Sequence, residues 1–114
     1  MQSNTKKNNP VNQYDVIVLG AGAAGLMAAI TAASRNRSVL VVEKSNKIGK
    51  KILMSGGGKS NFTNTSIEFD NFISQNPHFC KSALSRYTAF DFIKLVEKYK
   101  IEYEERKDHQ LFCI

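Results

Sequence analysis

Apolar residues follow two different rhythms along this chain, and each change of rhythm marks an element. Val16, Ile17, Val18 and Leu19 form an unbroken apolar run rich in β-branched residues, the pattern of a strand buried on both faces of a parallel sheet. The run predicts a strand over Tyr14–Leu19. Ala21 to Ala33 is mostly alanine with Leu26, Met27 and Ile30 and carries no charge, which predicts a helix largely buried against that sheet. Arg35, Asn36 and Arg37 interrupt the apolar pattern before a second short run, Val39 to Val42, which ends at Glu43. Strand, helix and strand in this order make a βαβ unit and place the chain in the α/β class.

Further along, Asn76 and Pro77 read as a helix cap followed by a first-turn proline, with Phe79, Ala83, Leu84 and Tyr87 on one face. Thr88, with Asp91 three residues later, reads as a capping-box variant ahead of Phe92, Ile93, Leu95, Val96 and Tyr99. Two short helices are expected there. Ile101 and Tyr103 then alternate with Glu102 and Glu104, Lys107 and Asp108 suit a turn, and Gln110 to Ile114 return as a strand, the start of a β-hairpin. The aromatics Phe69, Phe72, Phe79, Phe90 and Phe92 are assigned to the core. Residues 1–13 are polar, lack the apolar centre of a signal peptide and read as a disordered tail.

Candidate chemistry sits where the first strand meets the first helix. Gly20, Gly22 and Gly25 stand there at GxGxxG spacing: the first permits a tight turn, the second lets a pyrophosphate approach the backbone, and the third lets helix and strand pack closely. The helix N-terminus behind them offers unpaired N–H groups and a positive dipole end to phosphates. Glu43 follows 23 positions after Gly20, at the end of the second strand, where an acid accepts hydrogen bonds from ribose hydroxyls and repels a 2′-phosphate. FAD or NAD is therefore favoured over NADP. The plainer alternative is a βαβ unit whose glycines only make a turn.

A second glycine cluster lies in Gly49 to Asn64, GKKILMSGGGKSNFTN. Three consecutive glycines carry an entropic cost that suggests unusual backbone angles or a ligand close by. GGGKS has the ending of a P-loop, but that motif requires glycine five positions before Gly58, where this chain has Leu53. The segment SGGGKSNFTN, with Gly49, Lys50, Lys51 and the upstream GAGAAGLMAA, resembles the aminoacetone-oxidase-like FAD-binding oxidoreductases, within the flavoproteins that have two dinucleotide-binding domains. The resemblance runs from about Tyr14 to near Ile114. It implies the N-terminal part of a Rossmann-like FAD-binding domain, with Gly20, Gly22, Ala23, Ala24 and Gly25 along the FAD pyrophosphate and Glu43 on the adenosine ribose. It further implies Lys50 and Lys51 near the phosphates, and Ser55, Gly56, Gly57, Gly58 and Asn61 along the flavin side. Where that family usually carries arginine then cysteine, this chain has Lys59 and Ser60, which keep a charge but lose the donor fork and the thiol. His109, Gln110 and Cys113 stand where the family has glycine, arginine and a later proline.

The net charge of +6 comes from scattered lysines apart from the cluster Lys44, Lys47, Lys50, Lys51 and Lys59. Its position beside a phosphate site makes Lys44 a candidate cofactor contact together with Lys50 and Lys51, the alternative being a solvated loop. No recognised nucleic-acid motif accompanies the cluster, so no nucleic-acid partner is expected. Cys80 and Cys113 lack metal-ligand spacing and read as reduced thiols of a cytoplasmic protein, with no metal. No apolar stretch is long enough to span a bilayer. His78 and His109 have no motif around them and read as surface histidines, so no catalytic residue is assigned.

At 114 residues and 42% hydrophobic content the chain suits one small globular domain. That is short for a redox enzyme enclosing a dinucleotide and a substrate. With one complete βαβ unit and a closing apolar run, residues 14–114 are expected to form a partial FAD-binding domain, truncated at the C-terminus. The functional expectation is the adenosine and pyrophosphate half of an FAD-dependent oxidoreductase acting on a small organic substrate. Two alternatives remain: a small NAD- or nucleotide-binding module without its own catalysis, or a non-functional truncated remnant.

Overall fold

The computed structural model describes residues 13–114, so the expected tail lies outside the described residues except for Gln13. The chain forms two compact units, up to Lys50 and from Lys51 to Ile114. The first holds β1 (Val16–Leu19), α1 (Ala23–Ala33) and β2 (Val39–Val42). β1 and β2 pair in parallel with Val16 opposite Val39 and Leu19 opposite Val42. This is the βαβ unit expected of the α/β class. Asp15 locks the open end of the sheet, its Oδ2 accepting from the Ser38 backbone N–H at 2.8 Å and the Ser38 hydroxyl at 2.9 Å.

Both predicted starts shift inward. β1 begins at Val16 instead of Tyr14, and α1 begins at Ala23 instead of Ala21, because Gly22 is the extended N-cap (φ −83°, ψ −173°) and Ala21 belongs to the turn. Burial also departs from expectation. No residue of α1 is buried, while on β1 Ile17 is 59% and Leu19 82% exposed. The single helix covers the face that carries Val16 and Val18, and among the described residues of this unit nothing covers the other.

The second unit contains α2 (Lys50–Met54, its first residue shared with the first unit), β3 (Asn61–Asn64), α3 (Lys81–Arg86), α4 (Ala89–Lys98), β4 (Tyr103–Glu105) and β5 (Gln110–Cys113). β5 is the centre of an antiparallel sheet ordered β3, β5, β4. The expected hairpin is present, but β3 was not foreseen: the segment leaving the glycines pairs with β5, Asn61 opposite Phe112 and Asn64 opposite Gln110. The core of this unit is Leu111 and Phe112 on β5, Val96 on α4, and Cys80. Phe62 sits edge-on to both Phe92 (5.8 Å) and Tyr103 (5.6 Å), an arrangement favourable to aromatic quadrupoles. The aromatic assignment needs correction, since Phe69, Phe79 and Phe90 are exposed and only Phe72 and Phe92 are half-buried. Their apolar rings suit a core, but the neighbour that covers a ring is a tertiary matter.

The Asn76–Pro77 signal makes a turn and not a helix start. Asn76 Oδ1 accepts the His78 N–H at 3.0 Å and its carbonyl accepts the Phe79 N–H at 3.2 Å, so the helix waits until Lys81. The Thr88 box forms as read: Thr88 Oγ1 accepts the Asp91 N–H at 3.2 Å, and Asp91 Oδ2 accepts the Thr88 N–H at 2.9 Å. Thr88→Ala is expected to cost about 1 kcal/mol of stability, read as a lower urea midpoint at unchanged slope.

Candidate dinucleotide site

The site is built first from the turn between β1 and α1. Gly20 takes φ +95°, closed to most side chains, and its N–H donates to the Val42 carbonyl at 2.7 Å. A Cβ built on Gly20 or Gly22 would meet nothing within 4 Å, whereas one on Gly25 would overlap the Gly20 carbonyl oxygen. The first two glycines thus leave open space, and the third lets helix close onto strand. Ala23 and Ala24 open α1, whose first turn has no side-chain cap and no acidic residue. That leaves the positive end of the helix dipole available to an anion.

Glu43, just past β2, reaches back to this turn. Its Oε2 accepts the Ala21 N–H at 2.7 Å, and Oε1 accepts the Ser45 N–H at 2.7 Å. These backbone donors, Ser45 foremost and then Ala21, hold its pKa below the ordinary 4.5. Asp15, bonded to Ser38, and Asp91, bonded to Thr88, are likewise held below 3.8. For groups depressed on folding, the stabilisation is present above the unfolded pKa and is lost as pH falls through the folded one. Melting temperature is therefore expected to decline on acidification from about pH 4.5 downward, with a shallower decline in Glu43→Gln, as followed by circular dichroism.

The geometry fits a dinucleotide: an uncapped helix start, open space over Gly20 and Gly22, and an ionised acceptor beside them. Ala21 and Gly49, which sequence reasoning did not single out for this role, complete the turn through the Gly49 N–H donated to the Ala21 carbonyl at 2.7 Å. Lys44, Lys50 and Lys51 are exposed. None of them joins an ion pair among the described residues.

In the second unit, Ser55–Gly58 makes a kinked turn that is not a regular helix, since Gly56 and Gly57 take left-handed backbone angles. A Cβ on Gly56 would lie 2.7 Å from both the Asn61 backbone nitrogen and the Phe112 ring, but one on Gly57 or Gly58 would meet nothing. Phe112 thus sets the path of this loop. Arg106 lies over its ring at 4.4 Å, and the Cys113 N–H donates to the Lys59 carbonyl at 2.8 Å. Only the hairpin alternation pointed to Phe112. The Ser55 hydroxyl donates to its own helix, to the Ile52 carbonyl at 3.0 Å. The Asn61 amide nitrogen, oriented toward β5, donates to the Leu111 carbonyl at 3.2 Å, so that side chain is engaged by the sheet.

His78 and His109 are both exposed, and His109 Nδ1 lies 2.9 Å from Glu105 Oε1. Among the described residues no group of three His, Cys, Asp or Glu side chains is placed to hold a metal. No helix among them is long and apolar enough to cross a membrane. Cys80 and Cys113 are free thiols.

The sequence family described as the HI0933-like protein Rossmann domain matches residues 14–114. A ribosomal RNA dihydrouridine synthase of Escherichia coli is 50% identical over 103 residues, covering 90% of this chain and 26% of the relative. A ribosomal RNA dihydrouridine synthase of Haemophilus influenzae is 53% identical, again over 90% of this chain and 26% of its own length. A 3-dehydro-bile acid delta(4,6)-reductase of Clostridium scindens is 35% identical over 61% of this chain and 18% of the relative. The chain thus spans about a quarter of the length of the first two relatives.

Proposed function

We propose, for a chain that belongs to the HI0933-like Rossmann-domain family, that its dinucleotide is FAD and that the whole protein is an FAD-dependent oxidoreductase. The observation that carries the dinucleotide is the open space over Gly20 and Gly22 beside a Gly25 that admits no side chain. In this reading Gly20, Gly22, Ala23, Ala24 and Gly25 bind the pyrophosphate through backbone N–H groups and the helix dipole. Glu43 takes the adenosine ribose hydroxyls on the lone pairs that Ala21 and Ser45 leave free. Lys44 and Lys50 neutralise phosphate charge. From the second unit we assign Lys51 to phosphate and Ser55, Gly56, Gly57, Gly58 and Asn61 to the flavin side. Of these, Gly57 and Gly58 offer the most open backbone. The three relatives are named for dihydrouridine synthesis and for bile-acid reduction, and none of the three for aminoacetone oxidation.

For the substrate we propose a uridine of ribosomal RNA, reduced to dihydrouridine. The support is the pair of relatives at 50% and 53% identity that carry that name. Those names weigh against the expectation of a small organic substrate and no nucleic-acid partner. When bound and reduced, the flavin would supply the electron pair that, together with two protons, saturates a ring double bond, leaving the flavin oxidised, and the protein's part is binding and orientation. A small organic substrate is the second reading, favoured by the bile-acid reductase at lower identity and coverage.

Full-length protein is expected to purify with, or take up, FAD in preference to NAD, read as flavin absorbance and a larger thermal shift. Deleting the gene is expected to remove a dihydrouridine from ribosomal RNA, restored by the wild-type gene. A preference for NAD would return the chain to a nucleotide-binding module. Unchanged dihydrouridine content in a strain that lacks the gene would reject the RNA substrate.

A further inference from the structure

Ala21 is 1% exposed, and both of its backbone polar groups are bound at long range. Its N–H donates to Glu43 and its carbonyl accepts from Gly49, each at 2.7 Å. The preceding Gly20 N–H donates to Val42 at 2.7 Å. The turn is therefore tied to the segment Val42–Gly49 at three backbone groups, the Gly20 N–H and the Ala21 N–H and carbonyl. Within that segment the Ser45 hydroxyl donates to the Lys47 carbonyl at 2.8 Å, which fixes the loop on which the second Glu43 acceptor depends.

Glu43 is the one side chain in this set, and each of its oxygens already holds a backbone N–H. Hydrogen bonds to an ionised acceptor are about twice as strong as neutral ones. A carboxylate held from two sides has no free rotation with which to release Ala21.

We infer that Glu43 is a positioning residue for the dinucleotide turn, holding Gly20–Gly22 in its ligand-ready shape through the Ala21 N–H before any nucleotide arrives. The inference rests on the dinucleotide-binding reading, which it deepens. Ordering a loop on binding reduces affinity, and a turn ordered beforehand avoids that cost.

The test is hydrogen exchange on full-length protein stripped of nucleotide, comparing wild type with Glu43→Gln, together with FAD titration of both. In the variant the peptide covering Gly20–Gly22 is expected to exchange roughly tenfold faster without nucleotide, since loss of one charge-assisted bond is of that size. FAD affinity is expected to fall as well, while peptides of β1 and β2 keep their protection. Weaker FAD binding with unchanged exchange in the stripped protein would make Glu43 a ribose ligand only and overturn the inference. Should wild type bind no FAD, the functional reading fails, yet the exchange comparison still decides whether Glu43 holds the turn. If Glu43→Gln loses protection throughout β1 and β2, Glu43→Asp repeats the comparison with the charge kept and the oxygens drawn back by one methylene. Faster exchange confined to the turn supports the inference, and wild-type exchange overturns it.

Discussion

Gly25→Ala is expected to destabilise the first unit by more than about 3 kcal/mol and to abolish nucleotide binding. The added methyl would overlap the Gly20 carbonyl oxygen, with the Gly20 carbonyl carbon 3.1 Å and Val18 Cγ1 3.2 Å away. Two of these three atoms are backbone, and they belong to the residue whose N–H is bonded to Val42. Relief therefore requires α1 to lift from β1 or the turn to leave β2. Gly22→Ala is the matched control, because its φ of −83° suits alanine and its Cβ direction is empty. That variant is expected to keep stability within about 0.5–1 kcal/mol of wild type and to lose affinity for the dinucleotide. Chemical denaturation and FAD titration of both proteins separate the packing glycine from the ligand glycine. Similar stability of the two variants would contradict the assignment.

Gly56→Ala is expected to have the second largest effect, a loss of about 3 kcal/mol centred on the second unit. Its φ of +57° already disfavours an L side chain by about 1 kcal/mol. The new Cβ would also lie 2.7 Å from the Asn61 nitrogen and from Phe112 Cε1. Neither neighbour yields readily. Asn61 is paired in β3, and Phe112 lies on the central strand with Arg106 over its ring. Gly57→Ala shares the left-handed backbone but has no neighbour within 4 Å, so only the conformational part, about 1 kcal/mol, is expected. A double-mutant cycle tests the cause: Phe112→Leu in the Gly56→Ala background is expected to recover part of the loss. Strict additivity would show that the ring is not what Gly56 avoids.

Much of the first unit was legible along the chain because its signals are local. A β-branched run, glycines at fixed spacing, an alanine-rich helix and an acid after the second strand each state a backbone preference within a few residues. The Thr88–Asp91 box was legible for the same reason, since both partners lie on one helical turn. The Asn76–Pro77 pair failed as a helix start because an asparagine side chain satisfies a turn as well as a cap. The sequence offered no means to choose between them.

Pattern and spacing alone determined that this chain forms a βαβ unit with a glycine turn, followed by two helices and a hairpin. Tertiary structure decided which groups meet. That Glu43 holds Ala21, that Gly49 completes the turn, that Asn61–Asn64 joins β5 and that Phe112 presses on Gly56 all depend on segments 22 to 56 residues apart coming together. The physical reason is that periodicity specifies which side of an element is apolar or which backbone angle is allowed. The atom that finally satisfies a donor, or covers a ring, is chosen by chain approach over distances that no local pattern records.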